Sequence, residues 1–182
     1  PVMNKQPPLF SWFLYVLMAF IAAGALGVGF VAEHIYDIKP CVLCWYQRYA
    51  YMAAFGIAIM GIIPLMATFH RYILCLLTLS FATNAFFAIY QILVEKKIIP
   101  LPSLCKGISV DTLNKSFAEF QASLQKAADH VPCDQVPWEM FNISIAGYNA
   151  LFTLMMTLGL GTMTALSYLK VHPSFQNKRD AK

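Results

Sequence analysis

The chain has 182 residues, of which 59% are hydrophobic and only 12% charged, with a formal net charge of +4 and a mean hydropathy of +0.59. Soluble domains average about 45–50% apolar and about 25% charged residues, so these values exclude a disordered chain and a nucleic-acid binder and argue against a soluble globular domain. In an integral membrane protein a small positive excess reports orientation through its location rather than the partner it attracts.

Four windows contain no Asp, Glu, Lys or Arg: Leu9–Ala32, Tyr49–Phe69, Tyr72–Val94 and Met140–Leu169. About 20 apolar residues suffice for a helix to cross a hydrocarbon core about 30 Å thick, and in lipid the backbone must satisfy its own hydrogen bonds, so each window predicts a helix. The first is longer than the roughly 7–15-residue apolar core of a cleavable signal peptide and reads as a span. The expected fold is an all-α membrane protein: a four-transmembrane-helix bundle with a long periplasmic loop that carries an amphipathic interfacial helix. Residues 1–182 form a single integral membrane domain, with spans over about 9–32, 44–66, 72–94 and 144–169 and the loop over about 95–140. The stretch Met140–Gly147 is the part of the last window most compatible with an interfacial position.

Four spans place both termini on one side. That side carries Lys5, Arg71, Lys170, Lys178, Arg179 and Lys182 against a single acid, Asp180. The other side spreads Lys39, Arg48, Lys96, Lys97, Lys106, Lys115 and Lys126 over far more chain and holds eight of the nine acids. Lys and Arg concentrate in short cytoplasmic segments, so both termini are expected in the cytoplasm. Cys41, Cys44, Cys105 and Cys133 then face the opposite, oxidising side, where disulfides persist.

The strongest local signal is Pro40-Cys41-Val42-Leu43-Cys44, leading into the second span. Unpaired N–H groups and the dipole at a helix N-terminus favour an anionic sulfur. Arg48, four residues beyond Cys44, falls on the same helical face. A fixed positive charge there can stabilise a thiolate or a developing anion on a ligand, although interfacial arginines also simply snorkel. Cys105 and Cys133 form a second pair in the long loop. They can be a static staple, half of a tetrahedral zinc site with Cys41 and Cys44, or part of a redox relay. Zinc is the poorer fit, because only one half has the short spacing of such sites.

Between the loop cysteines, Leu113, Phe117, Phe120, Leu124 and Ala128 recur at helical steps, with Lys115, Glu119 and Lys126 off that stripe. A helix over Asp111–Ala128 would lie in the membrane interface and hold the loop cysteines near Cys41 and Cys44. Packing of that helix on a neighbouring element is the plainer alternative. Pro100, Pro102, Pro132 and Pro137 bound the segment. Cys75 reads as a small buried packing residue, His34 as a satisfied interface histidine, and His130 as a sequence neighbour of Cys133 able to tune it. Trp12, Trp45, Tyr46 and Trp138 fall where interfacial aromatic belts form.

On these motifs the chain resembles the disulfide bond formation protein B (DsbB) family of inner-membrane thiol oxidases. The resemblance rests on four spans, on "EHIYDIKPCVLCWYQR" entering the second, on the loop cysteine pair, and on "CDQVPWEMFNISIAGYN" entering the fourth. The vitamin K epoxide reductase family has similar logic with the cysteine pairs in reverse order, and matches less well. The likeness implies that Cys105 accepts attack from a periplasmic thioredoxin-fold oxidase (DsbA-like) and that Cys133 resolves toward Cys41. It further implies that Cys44 meets a bound ubiquinone or menaquinone as a thiolate and that Arg48 assists at the quinone headgroup. Family members often carry a histidine near the outer end of the third span, where this chain has Gln91, which can hydrogen-bond to a quinone but cannot become charged. The implied function is a membrane thiol:quinone oxidoreductase. The alternative is a non-enzymatic scaffold or transporter subunit with two structural disulfides, although the spans lack the buried acids of a proton-coupled transporter.

Overall fold

The computed structural model describes residues 9–102, 105, 132–134, 136 and 138–169. Among them run four helices: α1 (Leu9–His34), α2 (Val42–Ile62), α3 (His70–Glu95) and α4 (Ile145–Leu169). A 3-10 helix over Pro64–Phe69 joins α2 to α3, and a two-stranded hairpin of β1 (Glu139–Met140) and β2 (Ile143–Ser144) precedes α4. The all-α bundle expected from the windows is the architecture observed. The predicted interfacial helix over Asp111–Ala128 lies outside the described residues.

Local chemistry sets the boundaries. Helix α2 begins directly after Pro40-Cys41 and stops at Ile63, whose extended backbone (φ −70°, ψ 122°) is the conformation that the following Pro64 imposes. It therefore sits several residues toward the N-terminus of the Tyr49–Phe69 window. The charge-free window missed the first turns because they hold Arg48. The fourth window also overran at its start. Glu139–Ser144 form the hairpin, with Phe141 (φ 52°) and Asn142 (φ 62°) both left-handed at its tip. A two-residue hairpin turn of the I′ type needs positive φ at both central residues. Asn tolerates this, whereas an aromatic pays for it in backbone strain.

Helices α1, α3 and α4 are each long and apolar enough to cross a membrane, with mean hydropathy of 2.3, 1.9 and 1.5 in their spanning windows. Helix α2 has 21 residues, enough length to cross, but Gln47 and Arg48 lower its apolarity, and both side chains are buried. The outward faces are apolar: Phe20, Val28, Leu79, Phe86, Leu158 and Leu166 are among the most exposed side chains.

Packing follows chain order, α1 on α2, α2 on α3 and α3 on α4. Ala50, Ala54, Ala58 and Gly61 form a small-residue seam along the buried side of α2, and such seams let helices approach closely where no hydrophobic effect drives them together. The core at this end comprises Tyr15, Met18 and Ala22 of α1, Tyr51 of α2, and Leu77 and Phe81 of α3. Tyr15 is only 2% exposed. Its hydroxyl lies 2.7 Å from His70 Nδ1 and donates to the His70 carbonyl at 3.2 Å, tying α1 to the start of α3.

Gly61 sits under that ring. A Cβ there would lie 2.7 Å from two Tyr15 ring carbons, and the ring is held at its far end by His70. We predict that Gly61→Ala costs about 1–3 kcal/mol, the usual penalty of overpacking, read as a lowered thermal midpoint in detergent. Gly24→Ala, where nothing lies within 4 Å, should leave the midpoint unchanged or raise it. Equal midpoints for the two variants would contradict this packing.

Candidate functional site

The site is built at the N-terminus of α2. Cys41 is the N-cap residue, with extended backbone, and its sulfur accepts the Cys44 N–H at 3.3 Å. N-caps are normally Ser, Thr, Asp or Asn, so a sulfur here satisfies an otherwise orphaned helix N–H. The Cys41 and Cys44 sulfurs lie 2.8 Å apart, closer than non-bonded sulfurs ordinarily rest and within easy reach of a covalent bond of about 2.05 Å. The hydrogen bond shared with Cys44, together with burial, pushes the Cys41 thiol up from its usual range. Cys41 is buried and Cys44 half-buried.

The loop pair arrives at the same place. Cys105 and Cys133 are disulfide-bonded, with Cα atoms 5.5 Å apart, and each is 1% exposed. They pack in one cluster with Cys41, Leu43 and Val94, edged by Cys44, Phe87, Tyr90, Ile99 and Leu101. All four site cysteines predicted from sequence thus meet at one end of the bundle. Cys75 does not join them, and it is exposed on α3 rather than buried. This corrects the expectation of a packing residue: its position on α3 points it away from the other helices.

Arg48 is buried and turned toward α1, not snorkelling. It pairs with the Glu33 carboxylate through Nη1 and donates from Nη2 to the Gly29 carbonyl at 2.9 Å. Its guanidinium carbon lies 5.3 Å from the Phe30 ring centroid and 5.0 Å from that of Trp45, within cation–π range. Gly29 makes the approach possible, since a Cβ there would be 3.3 Å from Arg48 Nε. Glu33 had no assigned role in the sequence. Its signal was an acid at the very end of an apolar window, one helical turn beyond a glycine.

Gln91, on α3, faces Cys44. Its Nε2 is 3.6 Å and its Oε1 3.7 Å from the Cys44 sulfur. Oε1 accepts from Gln47 Nε2 at 2.7 Å, and Nε2 donates to Glu95 Oε1 at 3.1 Å. Gln47 Oε1 accepts from Asn149 Nδ2 at 2.7 Å, and the same amide donates to Asn84 Oδ1 at 3.0 Å. Tyr51 donates its hydroxyl to Asn149 Oδ1, and Asn84 donates to the Gln47 backbone carbonyl at 3.2 Å. Sequence reasoning singled out Gln91 alone of this group. Amides inside apolar windows were the available signal, because a buried polar side chain in a membrane helix must find a partner.

A sulfur pair at a helix N-terminus, a disulfide in the same cluster, a guanidinium one helical turn along and an amide facing Cys44 from α3 make a site suited to thiol–disulfide exchange. Half-exposed Cys44 has apolar and aromatic neighbours in Phe87 and Tyr90, with Tyr46 stacked on Phe87 at a centroid distance of 5.2 Å. Such a wall, with N–H donors in Arg48 and Gln91, suits a flat apolar ring that carries carbonyl oxygens.

Comparison with known proteins agrees with this arrangement. The family model described as "Disulfide bond formation protein DsbB" matches residues 11–163. The chain is 30% identical over 164 residues to disulfide bond formation protein B of Marinobacter nauticus, covering 84% of this chain and 92% of that protein. It is 25% identical over 175 residues to disulfide bond formation protein B 2 of Pseudomonas syringae pv. syringae, covering 90% and 87%. A third relative, disulfide bond formation protein B of Methylobacillus flagellatus, is 26% identical over 162 residues, covering 82% and 88%.

The amide cluster generates a stability prediction. Asn149→Ala removes the partner of Gln47 Oε1, Asn84 Oδ1 and the Tyr51 hydroxyl together. Leaving buried polar groups unpaired costs roughly 1–3 kcal/mol, so the thermal midpoint in detergent should fall clearly below that of the parent. An unchanged midpoint would mean that the amides do not hold α4 to α2 and α3.

Proposed function

Because the chain belongs to the DsbB family of membrane disulfide bond formation proteins, we propose that it is a membrane thiol:quinone oxidoreductase that reoxidises a periplasmic thioredoxin-fold disulfide donor of the DsbA kind. The observation that carries this reading is the convergence of both cysteine pairs in one cluster, where the Cys105–Cys133 disulfide packs with Cys41 and with Cys44 at the edge. Two static disulfides in a scaffold would have no need of each other. A relay requires sulfurs that can approach.

In this reading the partner's thiolate attacks Cys105 and forms a mixed disulfide, expelling Cys133 as a thiolate. The partner's second thiol then attacks its own sulfur in that bond, leaving as a disulfide and releasing Cys105. Two electrons now rest on the Cys105–Cys133 dithiol. Cys133 attacks Cys41 of an oxidised Cys41–Cys44 pair, Cys105 displaces it to restore the loop disulfide, and the electrons pass to Cys41 and Cys44. The balance is one dithiol oxidised for each disulfide reduced.

Cys44, Arg48 and Gln91 are the residues that would hold a quinone, ubiquinone or menaquinone, at its carbonyl oxygens, with Phe87 and Tyr90 beside Cys44. The bound quinone supplies the oxidant that allows the Cys41–Cys44 disulfide to close again. The protein's share is to hold the Cys41 and Cys44 sulfurs together at the start of α2, to keep the Gln91 amide beside Cys44, and to keep Arg48 in place through Glu33 and Gly29. The concentration of Lys and Arg on the side of both termini supports an inner-membrane protein with cytoplasmic termini and its redox cysteines facing the periplasm.

Cys44→Ser tests the proposal. In anaerobic detergent solution with a reduced thioredoxin-fold partner, the parent should bleach quinone absorbance. The variant should not, while still forming a mixed disulfide through Cys105. Normal quinone reduction by Cys44→Ser would sink the assignment.

A further inference from the structure

Glu95 has no role in the relay just described, yet it holds the Gln91 amide that faces Cys44. We infer that Glu95 is a positioning residue that holds the Gln91 amide edge-on against the Cys44 sulfur in one fixed polarity. The geometry begins with a carboxylate, which accepts hydrogen bonds and cannot donate them. Glu95 Oε2 takes the Ser144 hydroxyl at 2.6 Å and Oε1 takes Gln91 Nε2 at 3.1 Å. Ser144 is itself anchored, because its oxygen accepts the Gly147 N–H at 3.2 Å at the start of α4, and its one proton is thereby aimed at Glu95.

With Gln91 compelled to present its NH2 group to Glu95, its oxygen must face Gln47 Nε2, 2.7 Å away. Gln47 must then turn its oxygen to Asn149 Nδ2, and Asn149 its oxygen to the Tyr51 hydroxyl. Every donor in this chain points toward the single acceptor-only group at its end, and aligned hydrogen bonds of this kind strengthen one another. An isolated glutamine amide could flip, but this one cannot without breaking the whole sequence of bonds.

The consequence falls on the sulfur. The Gln91 amide stands edge-on to Cys44, with Nε2 at 3.6 Å and Oε1 at 3.7 Å. The grip of Glu95 keeps an N–H of Nε2 beside the sulfur, while Oε1, also within reach of the Cys44 thiol, is held more closely by Gln47 Nε2 at 2.7 Å. A donor at that distance stabilises negative charge on the sulfur, whereas a free carbonyl would favour the protonated thiol. The other charged or titratable groups around Cys44 among the described residues include Cys41 and Arg48 on α2, Tyr90 on α3, and Glu33 of α1 paired to Arg48. Glu95 therefore acts on Cys44 in two opposed ways: its charge disfavours an anionic sulfur, and its grip on Gln91 favours one.

This inference rests on the reading of Cys44 as a redox thiol, and its test uses neither quinone nor partner, so each can fail without the other. In a Cys41→Ser background, the rate of Cys44 alkylation by iodoacetamide is followed over a pH series by peptide mass spectrometry. The plateau reports access to the sulfur and the midpoint reports its ionisation. Retention of the Cys105–Cys133 disulfide reports folding. Glu95→Gln removes the charge and, with its NH2 turned to the Ser144 oxygen, keeps an acceptor for Gln91, so its midpoint should equal or fall below the parent's. Glu95→Leu removes both and frees the amide, so its midpoint should lie above that of Glu95→Gln by about one pH unit, the size of one lost charge-assisted hydrogen bond. If Glu95→Leu fails to fold, Ser144→Ala, which loosens Glu95 alone, should move the midpoint upward by a smaller amount. Equal downward shifts in Glu95→Gln and Glu95→Leu would make Glu95 a charge and nothing more. Unchanged midpoints in these variants would overturn the inference.

Discussion

A carboxamide inside a membrane helix has no water to turn to, and this constraint organises the bundle around its cysteines. Gln47 of α2 is bonded at both ends of its amide, to Gln91 of α3 and to Asn149 of α4. Each bond is modest on its own, but an unpaired amide in the same place is expensive, so rotation of any one of the three helices breaks several bonds at once. The direction of Cys44, three residues before Gln47 and in reach of Gln91, follows from that restraint on α2. Among the described residues no buried side-chain nitrogen or oxygen lacks a partner, which is the condition for such a network to rigidify the fold instead of weakening it.

The two ends of the bundle solve different problems. Toward the Tyr15–His70 end, small residues on α2 and close-packed rings give an apolar core in which fit is the main restraint. Toward the cysteine end, the restraints are polar and directional, and the apolar cluster consists largely of the cysteines themselves with Leu43 and Val94. Helix α1 is clamped at both ends: by the Tyr15 hydroxyl on His70 at one, and by Arg48 on Glu33 and Gly29 at the other. A redox site gains from this division. The C-x-x-C sulfurs sit at a helix N-terminus, and the disulfide in the same cluster belongs to a loop.

Much of this was readable from the residues. Four charge-free windows gave the helices, because a membrane imposes length and apolarity so strictly. The order of the C-x-x-C and the loop pair gave the family. What could not be read depends on direction. Cys75 looked like packing because nothing in a uniformly apolar helix says which side meets its neighbours. The apolar start of the last window hid a hairpin, since its left-handed Phe141 and Asn142 carry no hydropathy signal. Arg48 was placed on the face of Cys44 by spacing, and the acid that holds it came from another helix. Gln47, Asn84, Asn149 and Glu95 were each visible as polar residues in or beside apolar windows. Their joining into one chain required three helices in register.

The central claim is that electrons placed on the loop pair leave through the C-x-x-C pair to a quinone. The most direct measurement is an anaerobic thiol count at Cys41, Cys44, Cys105 and Cys133 after mixing purified protein with a reduced thioredoxin-fold dithiol, before and after addition of ubiquinone. Quinone absorbance is followed in the same sample. The account predicts that the added quinone removes protein thiols in a constant ratio to the absorbance lost, two thiols for each quinone reduced. Thiols that persist with absorbance unchanged, for ubiquinone and then for menaquinone, would contradict it and leave the cysteines as staples of the fold.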